Sequence, residues 1–311
     1  MPSYTNLYTF GDSLVDGGSV FGLTGGTTPD PALGYCAGRF TNCPVVPTDP
    51  ITPADSVSQA ITGGNANTFL AGGTNFAFGG ARANNLPPQS GQIVPDLGDQ
   101  LLAYLQEVGA GNQVVDPGAL YLINVGGNDA RDIVLQGLTG PARAAYIQSA
   151  TDALQGFISV LKNVYGIQHV GVVGPGDVGG IPEVKALGAA AQAAGRAASE
   201  DISAAFAGVA STTGSQFFDT IALTDAVLAD PALFGLPAGL NVDDACLLAG
   251  AAPPGGAPVC NDFAFFDPVH PTTQVLQILG QGIVNQFVPE PGTAVLVGMG
   301  LFGMGLRRRL N

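Results

Sequence analysis

The chain has 311 residues, 46 % of them hydrophobic, which is ample apolar material for a large buried core. Its 46 glycines and 23 prolines predict many tight turns between short elements and disfavour a disordered chain. The formal charge is −14 and Lys and Arg together number only 10, so the surface is acidic and repels phosphate groups. The sequence holds no basic stripe or aromatic platform, and we therefore exclude nucleic acid as a partner.

Apolar, strand-like runs alternate with helical patterns along the chain. We expect strands at 6–10, 74–78, 119–126, 169–174 and 215–219, and helices at 98–108, 141–165, 182–210 and 271–286, the last with Pro271 in its first turn. This alternation predicts an α/β sandwich with a mostly parallel sheet. In such a sheet the functional residues lie just beyond the carboxyl ends of the strands.

Three polar or glycine-rich clusters follow predicted strands. Ser13, in TFGDSLVDGG (9–18), follows the first strand, Gly79 and Gly80 follow the second, and GGND (126–129) follows the third. Ser13 is the candidate nucleophile. A serine hydroxyl reacts at neutral pH only where a base, an orienting acid and oxyanion donors converge on it, so the rest of the chain must supply these groups.

The chain has two histidines that could act as the base. His169 begins a predicted strand and is interpreted as structural. His270 lies in FFDPVHPTT (265–273), with Asp267 three residues earlier and a proline on either side. An aspartate at this spacing in a rigid loop can bind the imidazole Nδ1 and leave Nε2 free to accept the serine proton. This D-x-x-H spacing is a weak signal by itself and gains its weight from the motifs that accompany it.

These motifs together resemble the GDSL family of lipases and esterases, within the SGNH hydrolases. GDSL (11–14), NFAFGGA (75–81), GGND (126–129) and the final DPVH (267–270) occur in the family's order, and GRFTN (38–42) is similar to a loop near the active site in the plant-like branch. The resemblance implies a three-layer α/β/α sandwich with a mostly parallel, flavodoxin-like sheet, and an enzyme that hydrolyses carboxylic esters.

The resemblance also implies a role for each matched residue. Ser13 would be the nucleophile, His270 the general base and then the general acid, and Asp267 its orienting partner. The backbone N–H groups of Ser13 and Gly79 and the side-chain amide of Asn128 would form the oxyanion hole. Glycine at 79 would let the backbone approach the substrate closely.

Two competing motifs carry less weight. GPGDVG (174–179) matches the G-x-G-x-x-G dinucleotide pattern, but it follows the fourth predicted strand rather than the first, and Pro175 interrupts it. The G-x-S-x-G elbow of ordinary α/β-hydrolases does not occur in the sequence. We expect neither a cofactor nor a metal, and we interpret Asp12 and Asp129 as loop or cap residues rather than catalysts.

The four cysteines form two couples, each close together in sequence and set in a Gly/Pro-rich stretch. Disulfides Cys36–Cys43 and Cys246–Cys260 are the first expectation among three connectivities, and they would imply an oxidising compartment. Free buried thiols are the alternative.

The C-terminal stretch VPEPGTAVLVGMGLFGMGLRRRLN (288–311) holds a Pro-Glu-Pro turn, three arginines, and between them an apolar run of about fourteen residues, shorter than a full membrane span. It resembles the PEP-CTERM sorting signal. That resemblance implies an exosortase-type protease as a partner, transient membrane insertion with Arg307–Arg309 on the cytoplasmic side, cleavage near Glu290, and a location at the cell surface or outside the cell. A terminal core helix is the alternative.

Export requires a signal peptide, and MPSYTNLYTF (1–10) has neither a basic n-region nor an apolar h-region. We therefore expect the N-terminus as printed to be processed or incomplete.

The sequence thus predicts two units, a hydrolase domain at 1–287 and a sorting tail at 288–311. The predicted reaction is the cleavage of a small-molecule or lipid ester through an acyl-enzyme. A deacetylase of extracellular polysaccharide and a surface binding or structural protein without turnover are the alternatives. The motifs do not set the acyl-chain length, because the pocket is expected to be built from loops such as 19–68 and 231–262.

Overall fold

Four parallel strands form the central sheet of the computed structural model, which describes residues 4–84, 94–250 and 259–288. They are β1 (Leu7–Gly11), β2 (Leu120–Asn124), β3 (His169–Val173) and β4 (Gln216–Phe218), and they neighbour one another in that order. All three pairings are parallel, with Leu7 opposite Leu120 and Leu120 opposite His169. The parallel sheet is therefore confirmed, and the carboxyl ends of its four strands meet at one edge.

The predicted strand at 74–78 is an extended segment that pairs with the free edge of β1 only through a single parallel bridge, Thr9 with Asn75. Phe76 N donates to Thr9 O (2.7 Å), and Phe78 N donates to Gly11 O (3.0 Å). The Asn75 backbone N–H and C=O pair on the opposite side, with the 67–69 segment. Counted with this segment, the order is 74–78, β1, β2, β3, β4, which is the expected flavodoxin-like order.

Helices of very different length connect the strands. They are α1 (Ser19–Leu23), α2 (Pro53–Thr62), α3 (Leu97–Gly109), α4 (Gly127–Leu135), α5 (Gly140–Ser159), α6 (Pro182–Lys185), α7 (Ala189–Thr213), α8 (Thr220–Ala229) and α9 (Thr273–Phe287). The single helix predicted at 182–210 is two helices, since Gly188 between them has a φ of +93°. The helix expected at 141–165 is α5 followed by a π-helical turn, Val160–Val164. Pro271 precedes α9 by two residues rather than lying in its first turn.

The two faces of the sheet bury different helices. Successive strand residues point to opposite faces, so Tyr8 and Tyr121 pack in the larger core cluster, whereas Leu7 and Leu120 pack in the smaller one. The larger cluster takes its α-helical residues from α3, α4, α5, α6 and α7, and the smaller one from α2 and α9. This is the predicted three-layer α/β/α sandwich.

Both predicted disulfides are present, Cys36–Cys43 and Cys246–Cys260, so the alternative of free thiols is wrong. The second disulfide packs beside a small two-stranded sheet that was not predicted, β5 (Asn241–Ala245) with β6 (Phe263–Phe265). Strand β6 leads directly into the loop that carries His270, so this disulfide supports that loop.

Within the described residues, no helix has the length and apolar character needed to cross a membrane. The predicted sorting tail, apart from Val288, lies outside the described residues.

Candidate active site

Ser13 lies in a turn just beyond the carboxyl end of β1. Strand β1 ends at Gly11, whose φ is +143° and where a Cβ would lie 2.0 Å from Asn124 O, so only glycine fits there. Asp12 N then donates to Asn124 O (3.0 Å), and Leu14 N donates to Asp12 Oδ1 (3.0 Å). These bonds close the turn and place Ser13, which is 8 % exposed, at the wall of a cavity.

Asp267 organises the loop that carries His270, between β6 and α9. Its Oδ1 accepts from the backbone N–H groups of Val269 (2.8 Å) and His270 (2.7 Å), and its Oδ2 accepts from His270 Nδ1 (2.7 Å) and the Tyr35 hydroxyl (2.6 Å). Burial acts to raise the pKa of Asp267, but the nearby His270 and these hydrogen bonds outweigh it and hold the pKa below its ordinary value. The carboxylate is therefore ionised at neutral pH.

Ser13, His270 and Asp267 form one hydrogen-bonded line. Ser13 Oγ lies 2.8 Å from His270 Nε2, although the two residues are 257 positions apart in the chain. An ionised carboxylate can only accept, so Nδ1 carries the imidazole proton and Nε2 accepts from the Ser13 hydroxyl. In this arrangement a histidine can remove the serine proton. The structure thus brings together the three residues that the motifs singled out.

Two aromatic side chains that the sequence analysis did not single out hold this line in place. Tyr35 donates to Asp267 and packs edge-to-face on Phe266, with ring centroids 4.9 Å apart. Burial and the neighbouring carboxylate raise the pKa of Tyr35, so its phenol stays protonated as a donor. Phe40 packs on the His270 imidazole, with ring centroids 5.1 Å apart. The one sequence signal for Tyr35 is its position beside Cys36.

Hydrogen bonds connect the GRFTN loop (38–42) to the residues that follow His270 in the chain. Thr41 Oγ1 donates to Pro271 O (2.9 Å), and Thr273 N, at the start of α9, donates to Asn42 Oδ1 (3.0 Å). The loop therefore lies at the site, as its resemblance implied, and fixes the position from which Phe40 contacts the imidazole.

The Gly79 N–H was expected to donate to the oxyanion, but it already donates a hydrogen bond to a carboxylate of the protein. It donates to Asp16 Oδ2 (2.8 Å), while Asp16 Oδ1 accepts from the N–H groups of Gly18 (2.8 Å) and Ser19 (2.6 Å). Glycine is required at 79 for a different reason, since a Cβ there would lie 2.2 Å from Phe40 Cε2. Gly79 makes room for Phe40 rather than for substrate.

Other N–H groups near Ser13 remain available to donate a hydrogen bond to a ligand. Neither the Ser13 N–H nor the Gly80 N–H has an acceptor within hydrogen-bonding distance in the part of the chain that the structure describes. Gly80 has a φ of +88° in the turn that Ala81 N closes onto Phe78 O (3.1 Å). Asn128 lines the same cavity as Ser13, and its Nδ2 donates to Ala81 O (2.9 Å), which leaves its second amide proton for a ligand.

Asp12 and Asp129 are buried carboxyl groups outside the hydrogen-bonded line. Burial raises the pKa of Asp12 to about 7 and the pKa of Asp129 to about 6. Asp129 accepts from Ala83 N (2.8 Å) and Asn84 Nδ2 (2.8 Å), so it ties the segment after Gly80 to α4. Asp12 thus lies in the turn after β1 and Asp129 in the first turn of α4, and each binds backbone N–H groups there.

A cavity of about 180 Å³ opens beside Ser13 and His270. Its walls come from the segments that follow the four strands, including the GPGDVG loop (174–179), and from α8 and α9. Of the two loops expected to build it, 231–262 contributes Leu240 and Val242, whereas 19–68 contributes none of the lining residues described. Within 4–84, 94–250 and 259–288, no group of three or more histidine, cysteine or acidic residues is arranged to hold a metal ion.

The sequence matches the family model of GDSL-like lipases and acylhydrolases over residues 7–283. The match covers most of the chain, including Ser13 and His270, so the protein belongs to this family, whose members are carboxylic ester hydrolases. A second model, the PEP-CTERM protein-sorting motif, matches residues 287–309 and suggests an exported, cell-surface protein. No curated protein matches the sequence significantly.

Solved structures with a similar fold include a catalytic mutant of an acetylxylan esterase from Geobacillus stearothermophilus. It is 15 % identical, has a TM-score of 0.50, and the match covers 93 % of this chain and 97 % of that one. An α/β hydrolase from the metagenome of Lake Arreo, Spain, is 13 % identical with a TM-score of 0.48, and the match covers 92 % of this chain and 96 % of that one. At these identities the likeness concerns the fold alone.

Proposed function

We propose that the protein is a serine hydrolase that cleaves carboxylic esters through an acyl-enzyme. The observation that carries this proposal is the unbroken line from Asp267 through His270 to Ser13 Oγ, which ends at the wall of a cavity large enough for a substrate. Membership of the acylhydrolase family supports the same reaction class.

The geometry supports a two-step reaction. His270 Nε2 takes the Ser13 proton as Oγ attacks the ester carbonyl, and the resulting imidazolium is stabilised by Asp267. His270 then gives this proton to the departing alkoxide oxygen, the C–O bond breaks, and the acyl group stays on Ser13. In the second step His270 removes a proton from water, the hydroxide attacks the acyl-enzyme, and Ser13 recovers its proton as the carboxylic acid leaves.

The oxyanion formed in each step needs preorganised donors. We assign this role to the N–H groups of Ser13 and Gly80 and to the side-chain amide of Asn128, because each keeps an unused N–H among the described residues. The Asp129 contacts support the assignment, since they fix the segment that follows Gly80.

Hydrolysis of p-nitrophenyl esters by the full chain, compared with Ser13→Ala, tests this proposal. We expect kcat to fall to background in Ser13→Ala, a loss on the order of 10⁶-fold, because the nucleophile is removed. Ser211→Ala, an exposed serine on α7, is the matched control and should keep full activity. A fluorophosphonate probe should label Ser13 and no other serine.

The alternatives give different results in the same experiment. A binding protein without turnover would show neither hydrolysis nor labelling in a folded sample, and either absence would overturn the proposal. A polysaccharide deacetylase would be labelled at Ser13 but would cleave acetate esters and acetylated polysaccharide in preference to longer acyl esters.

We further propose that residues 1–287 form the hydrolase domain and that 288–311 form a sorting tail removed by an exosortase-type protease. The match to the sorting motif over 287–309 supports this division. Membrane insertion of the tail, with Arg307–Arg309 on the cytoplasmic side, is part of the same proposal.

Expression of the exported full chain in paired hosts, with and without an exosortase, tests the tail proposal. Mass spectrometry should find a C-terminus near Glu290 only in the host that has the exosortase. Recovery of an intact chain from both hosts would contradict it.

A further inference from the structure

The cavity beside Ser13 extends along the carboxyl edge of the whole sheet. It touches Ser13 after β1, Gly127 after β2, Gly176 after β3 and Thr220 after β4. Neighbouring strands lie 4.7–4.9 Å apart, so three strand spacings separate its two ends by about 14 Å. Ser13 stands at one end of a long, narrow space, and α8 stands at the other.

The apolar faces of two helices line part of the cavity. Leu223 and Val227 of α8 and Val275, Leu276 and Leu279 of α9 line it. Val227 is 5 % exposed and Leu276 is 2 % exposed, whereas Leu228 of α8, which also lines the cavity, is 50 % exposed, so the cavity is partly open to water. A cavity with mainly apolar walls favours a hydrocarbon group over a hydroxylated one, because hydroxyl groups removed from water need hydrogen-bond partners.

The arginine and the lysine in the walls are already paired with carboxylates. Arg131 forms a two-pronged ion pair with Glu183, and Lys185 Nζ lies 2.7 Å from Asp243 Oδ1. Their charges therefore give little attraction to a charged ligand, which leaves shape and apolar contact as the main basis of recognition.

The dimensions limit the length of the ligand. A cavity of about 150 Å³ holds six carbons as benzene, so about 180 Å³ holds at least a six-carbon chain. An extended chain advances about 1.2 Å per bond, as a peptide does over three bonds per residue, so about 14 Å accommodates at most about ten to twelve carbons.

We propose that this cavity binds the acyl chain of the ester and that the enzyme prefers medium-chain acyl groups of about six to ten carbons. The proposal rests on the serine-hydrolase function and specifies its substrate class. An acetyl group would occupy only the space next to Ser13 and leave the apolar faces of α8 and α9 without contact.

The test is a chain-length series of p-nitrophenyl esters from acetate to palmitate with the full-length protein and three variants. For the wild type, kcat/KM should rise roughly fourfold per added methylene until the cavity is full, and fall beyond about ten carbons. Val227→Phe fills the far end and should lower kcat/KM for octanoate at least about tenfold while acetate changes less than about twofold. Leu223→Ala enlarges the cavity and should move the optimum to longer chains.

Ala226→Phe is the matched control, because Ala226 is the exposed neighbour of Val227 on α8 and does not line the cavity. Its chain-length profile should equal that of the wild type. Opposite shifts of the optimum in Val227→Phe and Leu223→Ala cannot arise from a general loss of stability, so they separate the pocket from a folding defect.

Calorimetry with octanoate and the Ser13→Ala variant tests the cavity without turnover. Binding that weakens at least about tenfold when Val227→Phe is added supports the proposal. A wild-type preference for acetate, or a Val227→Phe profile parallel to that of the wild type, would overturn it while Ser13-dependent hydrolysis still stood. Loss of the hydrolase function would appear separately, as absence of any Ser13-dependent turnover in a chain that still binds octanoate.

Discussion

Tyr35 and His270 donate to the same oxygen, Oδ2 of Asp267, at 2.6 and 2.7 Å. Tyr35 directly precedes the loop closed by the Cys36–Cys43 disulfide, whereas Asp267 follows β6 near the other end of the chain. The acid that orients the imidazole is therefore itself oriented by a residue from a distant segment, which a disulfide anchors at the next position.

Tyr35→Phe should lower kcat about tenfold with little change in KM. The variant keeps the aromatic contact with Phe266 and loses only the hydroxyl, and a hydrogen bond to a charged group contributes about 1.5–3 kcal/mol. Steady-state kinetics with a p-nitrophenyl ester would measure both constants. An unchanged kcat would show that the backbone bonds of Asp267 suffice to hold it.

Asn128→Ala should lower kcat about 10²–10³-fold, because one oxyanion donor typically contributes about 2.7–4 kcal/mol to transition-state stabilisation. Thermal unfolding should change little, since the side chain makes a single hydrogen bond, to Ala81 O. Near-normal kcat in a folded variant would remove Asn128 from the oxyanion hole.

Gly79→Ala should destabilise the protein by about 1–3 kcal/mol, because its methyl group would overlap the Phe40 ring. In a Phe40→Ala background the same substitution should cost little, so a double-mutant cycle by urea unfolding should show strong coupling. Additive effects of the two substitutions would mean that Gly79 is needed for a reason other than Phe40.

The free energy of unfolding should fall as the pH rises from about 4 to 7. Asp12 binds its proton up to about pH 7 in the folded state but releases it near 3.8 when unfolded, so the unfolded state gains stability across this range. Asp12→Asn cannot titrate and should show a flatter profile in urea unfolding at pH 5 and 8. The exposed Asp152→Asn is the control and should keep the wild-type slope.

Local motifs predicted the site better than they predicted its surroundings. Ser13, Asp267 and His270 could be found because each lies in a short motif whose spacing reflects its chemistry. The hydrogen bond that the Gly79 N–H makes could not be predicted, because its acceptor is the Asp16 carboxylate, which a turn brings close. Tyr35 carries no motif, and its role follows only from the way two distant loops pack.

The fold, like the site, was predicted in part from the sequence. The parallel sheet followed from its apolar runs, but the predicted strand at 74–78 joins β1 through an isolated bridge and not as a regular strand. Helix α8 was not predicted, because Thr220–Ala229 has apolar residues on several sides and lacks a clear helical period. One of these apolar sides lines the cavity, which explains the pattern.

The 257 positions between Ser13 and His270 tie activity to the completeness of the chain. During synthesis, Ser13 emerges early and His270 only after the last strand, and closing so long a loop carries an entropy cost that sheet formation must offset. A nascent or truncated chain that ends before residue 265 can hold much of the sheet and still lack the base. The proposed hydrolysis would therefore report on the last stage of folding, when both ends of the chain have met.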